Sequence, residues 1–210
     1  MVIERWAAGL ALRLCASAQA AQLRAAAAKA DITPALAELL WGFEDRTKPA
    51  TGTLDPLYAR VLVLEAGNRR LALVTLDLGR SFGPASLDRI KDVTRKSSRI
   101  DCLIVAASHT HSAPVVQDVY KNGAPQWEKT ALERIEGAIE ASAHHLEDAR
   151  IGTGTGSVYI GHNRLRVNAD GSVSWFERNT TEIPTAPVDP TVTVLRVDRG
   201  STRGRDALGA

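Results

Sequence analysis

Apolar and polar positions along the chain change period several times, and each change marks an element. Residues 25–32 are mostly small and apolar and predict a first strand, closed by Asp31-Ile32-Thr33-Pro34, where the proline forces its predecessor into an extended conformation. Two β-rich runs, 58–65 and 69–78, flank Gly67-Asn68 and predict an antiparallel hairpin with a tight turn. Pro84 then opens a helix with Leu87, Ile90 and Val93 on one side. Residues 103–107 are a short branched apolar run, the pattern of a strand buried on both faces. A second helix runs from Pro125 to Leu146, with Leu132, Ile135, Ala138, Ile139 and Leu146 inward and Glu133, Arg134, Glu136 and Glu140 outward. A strand over 151–160, a hairpin pairing 165–167 with 173–176 around Asn168-Ala169-Asp170-Gly171, and a strand over 191–197 complete the pattern. This alternation predicts an α/β fold, a mixed β-sheet with hairpins and with helices packed on it.

The buried run empties into Ser108-His109-Thr110-His111-Ser112. In open α/β sheets, ligands sit beyond the carboxyl ends of the strands. If the backbone stays extended past Ala107, His109 and His111 project from one face, since side chains two apart in a strand share a side. Two such imidazoles can bind a divalent metal or polarise a substrate oxygen. A pair alone is half a zinc site, which needs three or four protein ligands.

Composition narrows the partners. An apolar fraction of 44% and a net charge of +2 over 210 residues give one ordinary core and no global field for nucleic acid. Cys15 and Cys102 form no disulfide framework and no Cys-x-x-Cys motif; Cys102 reads as a small core residue. No apolar run is long enough to cross a membrane as a helix. Residues 1–24 read as an export leader, with Arg5, an apolar stretch and Ala18-Gln19-Ala20, or else as an alanine-rich lead-in helix. Export predicts a secreted or periplasmic protein; the lead-in helix predicts a cytoplasmic one. Residues 199–210 lack core positions and are expected to be disordered.

Three motifs compete with the histidines. Gly79-Arg80-Ser81-Phe82-Gly83 matches a nucleophile elbow and would make Ser81 an esterase nucleophile. Its preceding strand is half of a hairpin, and Pro84 delays the helix whose amides should face the serine. Gly152-Thr153-Gly154-Thr155-Gly156-Ser157 resembles a dinucleotide loop, but no helix follows, so a glycine-bearing strand is expected. Asn179-Thr180-Thr181 is a formal glycosylation sequon. His144 and His145 close the second helix, where the dipole favours a capping role.

Asp31-Ile32-Thr33-Pro34, Asp55-Pro56-Leu57-Tyr58-Ala59-Arg60, Leu76-Asp77-Leu78-Gly79, Ser108-His109-Thr110-His111-Ser112-Ala113-Pro114 and Asn163-Arg164 occur in the order seen in neutral/alkaline non-lysosomal ceramidases. Residues 25–198 thus resemble the N-terminal part of that family's catalytic domain. The resemblance implies a zinc-dependent amidohydrolase that splits the amide of N-acyl sphingoid lipids into fatty acid and sphingoid base. It implies Zn2+ on His109, with His111 and Arg164 contacting the substrate or the developing oxyanion. It also implies an incomplete C-terminus, because the family's other ligands (a histidine in a His-Pro context, a glutamate and a tyrosine) would lie beyond Ala210. Ala113-Pro114-Val115-Val116 stands where the family has Gly-Pro-Gly-Gly. The competing expectation is a non-catalytic remnant or binding module of the same fold.

Overall fold

The computed structural model describes residues 22–35, 38–43, 45–178, 180 and 188–200. Residues 1–21 of the expected leader or lead-in helix, Cys15 among them, the sequon asparagine and the tail from residue 201 lie outside the described residues, while Leu23 and Arg24 belong to the first strand. Three strands in sequence, β1 (Leu23–Asp31), β2 (Tyr58–Ala66) and β3 (Arg69–Leu76), pair antiparallel, with Lys29 opposite Arg60 and Val61 opposite Val74. Helix α1 (Pro84–Ser98) then crosses over to β4 (Cys102–Ala107), which runs parallel to β3 with Val74 beside Val105. Helix α2 (Gln126–His144) leads back to β5 (Glu147–Ser157) and, after a two-stranded hairpin of β6 (Arg166–Val167) and β7 (Val173–Ser174), to β8 (Thr191–Arg199). The sheet order is β4-β3-β2-β1-β5-β8, a mixed sheet as the sequence pattern predicts.

One face of that sheet builds the core. Ala59, Val61 and Val63 of β2 and Ala72, Val74 and Leu76 of β3 alternate inward. They meet Ile90 of α1 and Ala131, Leu132, Ile135 and Ile139 of α2. The α2 stripe is the expected one, extended by Trp127 and Ala143. The α1 stripe turns by one position: Ile90, Thr94 and Ser98 are buried, while Val93 is exposed. Thr94 tolerates that site because its hydroxyl donates to the Ile90 carbonyl at 2.7 Å.

Two expectations fail for one reason. Strand β4 is not buried on both faces: Leu103, Val105 and Ala107 pack on the core, whereas Cys102, Ile104 and Ala106 are exposed. Cys102 is accordingly a surface thiol and not a core residue. Both helices cover the same sheet face, and β4 is the terminal strand of the described sheet, so among the described residues nothing covers its other side. The tail expectation also shortens, since Arg199 pairs with Ala149 in β8 and the Gly200 amide donates to the Asp148 carbonyl. The glycines of β5 sit in an ordinary strand, with no helix following.

At the end of the same face, Glu65 accepts from Arg70 at 2.6 Å and Arg24 at 3.0 Å. Burial alone would raise the Glu65 carboxyl; the two guanidinium bonds outweigh it and hold it below the ordinary range. His145 ends α2 by donating its amide, and its Nδ1 proton at 2.7 Å, to the Ala141 carbonyl, the capping role its position suggests.

The rotated α1 stripe is directly measurable. Ile90→Ala should cost about 2–5 kcal/mol by chemical denaturation, whereas Val93→Ala should stay within about 0.5 kcal/mol. Equal costs would show that α1 presents the other face.

Candidate functional site

The site is set by two strand ends. Because β3 and β4 run parallel, Leu76 and Ala107 finish side by side, and the Ser108 amide donates to the Leu76 carbonyl at 3.0 Å. The chain leaving β3 forms Asp77-Leu78-Gly79, and that leaving β4 carries the histidines. The strand stops at Ala107, and His109 adopts a left-handed backbone, φ 62°. The extended backbone assumed for the pair is therefore absent. A turn brings the imidazoles together instead, with ring centroids 5.2 Å apart and planes at 71°.

Each ring has its own support. Nδ1 of His109 lies 2.7 Å from the Gly79 carbonyl. A carbonyl only accepts, so Nδ1 carries a proton, and in the neutral ring Nε2 then keeps its lone pair. This is the tautomer and the outer hydrogen bond that a metal-ligating histidine uses. His111 packs edge-on to Phe43 at 5.0 Å between centroids, against the backbone of Gly42. A Cβ at Gly42 would lie 2.5 Å from His111 Nδ1, and Gly42 also has φ 75°. A Cβ at Gly79 would overlap the Trp41 ring. Arg46 donates to the His111 carbonyl and stacks over Phe43 at 4.7 Å. The wall Trp41-Gly42-Phe43 is held in turn by an isolated bridge between Leu40 and Pro114, with the Trp41 amide on the Ala113 carbonyl at 2.8 Å.

The hydroxyl residues of the same loop face elsewhere. Ser108, Thr110 and Ser112 line a cavity of about 670 Å³ with Asp77 and the 50–57 segment. Asp77 is committed there, accepting from Arg60 Nη1 at 2.8 Å and the Tyr58 amide at 3.0 Å. The loop thus has an imidazole side and a hydroxyl side.

Behind the loop lies a buried carboxylate. Glu128, fully buried in α2, accepts from Ser86 of α1 and Tyr120 of the loop, each at 2.6 Å. The Tyr120 oxygen accepts from the Gln117 amide at 3.1 Å. Burial, and then the Glu128 carboxylate, push the Tyr120 phenol well above its ordinary value. The sequence held one signal for this: Glu128 lies four residues before Leu132, on the buried stripe of α2.

The other predicted residues are placed separately. The Arg164 guanidinium lies over the Phe176 ring at 5.1 Å, beside the β6–β7 hairpin, and no hydrogen bond or ring contact joins it to either histidine among the described residues. Ser81 Oγ is buried without a hydrogen-bond partner, so no imidazole activates it, and the elbow reading loses its geometry. No group of three His, Cys, Asp or Glu side chains that could hold a metal occurs among the described residues.

Two mutations probe this assembly. Gly79→Ala should displace Trp41 or the Gly79 carbonyl and so move the His109 imidazole resonances in NMR spectra; unchanged resonances would exclude the carbonyl as its anchor. Tyr120→Phe should destabilise the fold by about 1–3 kcal/mol by leaving Glu128 with one donor fewer. Because the folded-state value of Tyr120 is raised, its contribution is complete below about pH 10 and falls as the pH climbs towards the folded value. The stability difference between wild type and Tyr120→Phe should therefore be flat up to that pH and shrink above it.

No family profile matches the chain, and no curated protein matches it. Among solved structures, neutral ceramidase from Pseudomonas aeruginosa superposes with a TM-score of 0.63 at 23% identity, covering 86% of this chain and 30% of that one. A ceramidase complexed with C2 superposes with a TM-score of 0.62 at 23% identity, covering 86% of this chain and 29% of that one. The chain thus spans less than a third of the length of these neighbours. Over the compared region it has the fold of one part of a neutral ceramidase, the architecture its motifs resemble.

Proposed function

We propose that the chain is the histidine-bearing part of a zinc-dependent amidohydrolase acting on N-acyl sphingoid lipid amides. The observation that carries the reading is the bond between His109 Nδ1 and the Gly79 carbonyl, which in the neutral ring leaves Nε2 available to a metal, with the His111 ring centroid 5.2 Å from that of His109. The ceramidase fold of the compared region supports the lipid amide as substrate class.

The donor set fits a metal in part. His109, with His111 beside it, supplies at most two of the three or four ligands required, so the remaining donors come from outside the described residues. A bound zinc ion would supply Lewis acidity and a water acidified to a pKa of about 7. The chain's own residues have the other tasks. His109 offers Nε2 to the ion while Gly79 fixes the ring. His111, held between Gly42 and Phe43, donates to or accepts from the substrate oxygen or leaving amine. Arg164 stabilises the oxyanion once charge develops on the carbonyl oxygen, which requires the 161–166 segment to approach the histidines. Water exclusion falls to the wall of Trp41, Phe43 and Ala113-Pro114.

The two-donor set also favours a second reading, a domain that keeps the fold and binds without catalysing. Zinc calorimetry and hydrolysis of an N-acyl sphingosine by the purified chain separate the two. Under the first reading any hydrolysis is lost with a chelator and with His109→Ala, His111→Ala lowers turnover more than zinc affinity, and Ser81→Ala is neutral. Hydrolysis that resists the chelator and disappears in Ser81→Ala would overturn it. Lipid binding without turnover, even with zinc supplied, would leave the second reading standing.

A further inference from the structure

The loop that carries the histidines separates two sides of unlike charge. Its hydroxyl side faces the cavity lined in part by Glu38, Asp55 and the Arg60-paired Asp77. Its imidazole side has the opposite sign. Arg80, which follows Gly79, lies 6.0 Å from the Trp41 ring and is neutralised by Asp118. Arg46 is the cation left over. It is exposed, and it forms no ion pair with any described carboxylate, its sequence neighbour Asp45 included.

The fold holds the Arg46 guanidinium by one edge. Nη1 donates to the His111 carbonyl, and the Trp41 carbonyl lies 3.5 Å from the same nitrogen. Those contacts occupy one of three nitrogens, so the N–H groups of Nε and Nη2 remain for a ligand. The guanidinium stands 4.7 Å over the Phe43 ring, and Phe43 has a left-handed backbone, φ 57°, which is uncommon for a bulky side chain. Phe43 in turn meets His111 edge-on, and His111 meets His109. Arg46 is thus a preformed donor fork, separated from the imidazole pair by a single aromatic ring.

We infer that Arg46 selects N-acyl amides bearing an oxyanion, a carboxylate or a phosphate, on the amine side of the scissile bond. The inference rests on the amidohydrolase reading of the site and narrows its substrate class. The acyl part of such a substrate is hydrocarbon, so the anion belongs to the amine part. Carboxylate and phosphate both match the guanidinium fork, and charge-assisted pairs of this kind are stronger than neutral hydrogen bonds. The acidic lining across the loop repels the same group, so the two sides discriminate in one direction.

Calorimetric titration of the purified chain compares N-hexanoylglycine with N-hexanoylethanolamine, small soluble amides of equal length that end in a carboxylate and a hydroxyl. With a chelator present, so that no metal takes the carboxylate, the glycine conjugate should bind roughly tenfold tighter, a lead that shrinks with added salt. Arg46→Met should abolish the lead, and Arg46→Lys should keep part of it, as a point charge without the fork. N-hexanoyl phosphoethanolamine identifies the anion: whichever charged conjugate binds tighter carries the preferred group. Equal affinities for charged and neutral conjugates would overturn the inference, as would binding of neither, or a lead that persists in Arg46→Met. Chelator-sensitive hydrolysis of an N-acyl sphingosine beside equal affinities would remove the selectivity and leave the amidohydrolase standing. A lead without any chelator-sensitive turnover, even with zinc supplied, would keep the anion site and remove the hydrolase.

Discussion

Parallel pairing of β3 and β4 is the constraint on which the site depends. An antiparallel neighbour would have put the start of one strand beside the end of the other. The α1 crossover instead brings two carboxyl ends together, so that the backbone leaving β3 can serve side chains leaving β4. The Gly79 carbonyl reaches His109 for that reason, and fixing one proton on one ring determines which nitrogen faces outward. Trp41 occupies the space a side chain at Gly79 would need, and Gly42 yields to His111 in the same way. The local architecture is thus a backbone scaffold whose missing side chains leave room for the rings.

Most of the sheet was readable in the sequence because strands other than the alanine-rich β1 announce themselves by β-branched composition, and the hairpins also by turn chemistry. Gly67-Asn68 and Asn168-Ala169-Asp170-Gly171 placed both hairpins, and Pro84 and Pro125 placed both helix starts. Layer arrangement was not readable. An apolar run such as Leu103–Ala107 has the same letters whether one face is covered or two; only the placement of both helices on one side decides it, and that is a tertiary fact. The same limit explains Val93, since a helix period of 3.6 leaves a choice between adjacent positions that the packing partner makes.

At the site, spacing found the histidines but not how they meet. A period-two argument presumed a strand, and the left-handed turn at His109 reached the juxtaposition by another route. Their supports were invisible for a different reason: a carbonyl acceptor and two glycines leave no chemical signature in a sequence. Arg164 is the opposite case, conspicuous in its motif while its guanidinium lies against Phe176.

Glu128 has a consequence for how the molecule comes apart. Its carboxylate is satisfied by two hydroxyls, one from α1 and one from the loop after the histidines. Were the loop to open while the helices stayed docked, Glu128 would be left in an apolar interior with half its donors, an expensive intermediate. Opening of the loop and separation of the helices are therefore coupled. Amides at 115–117 should exchange with solvent at the pace of the core and not of a surface loop. The wall beside the imidazoles thus borrows its permanence from the globule, and its geometry persists for as long as the fold does.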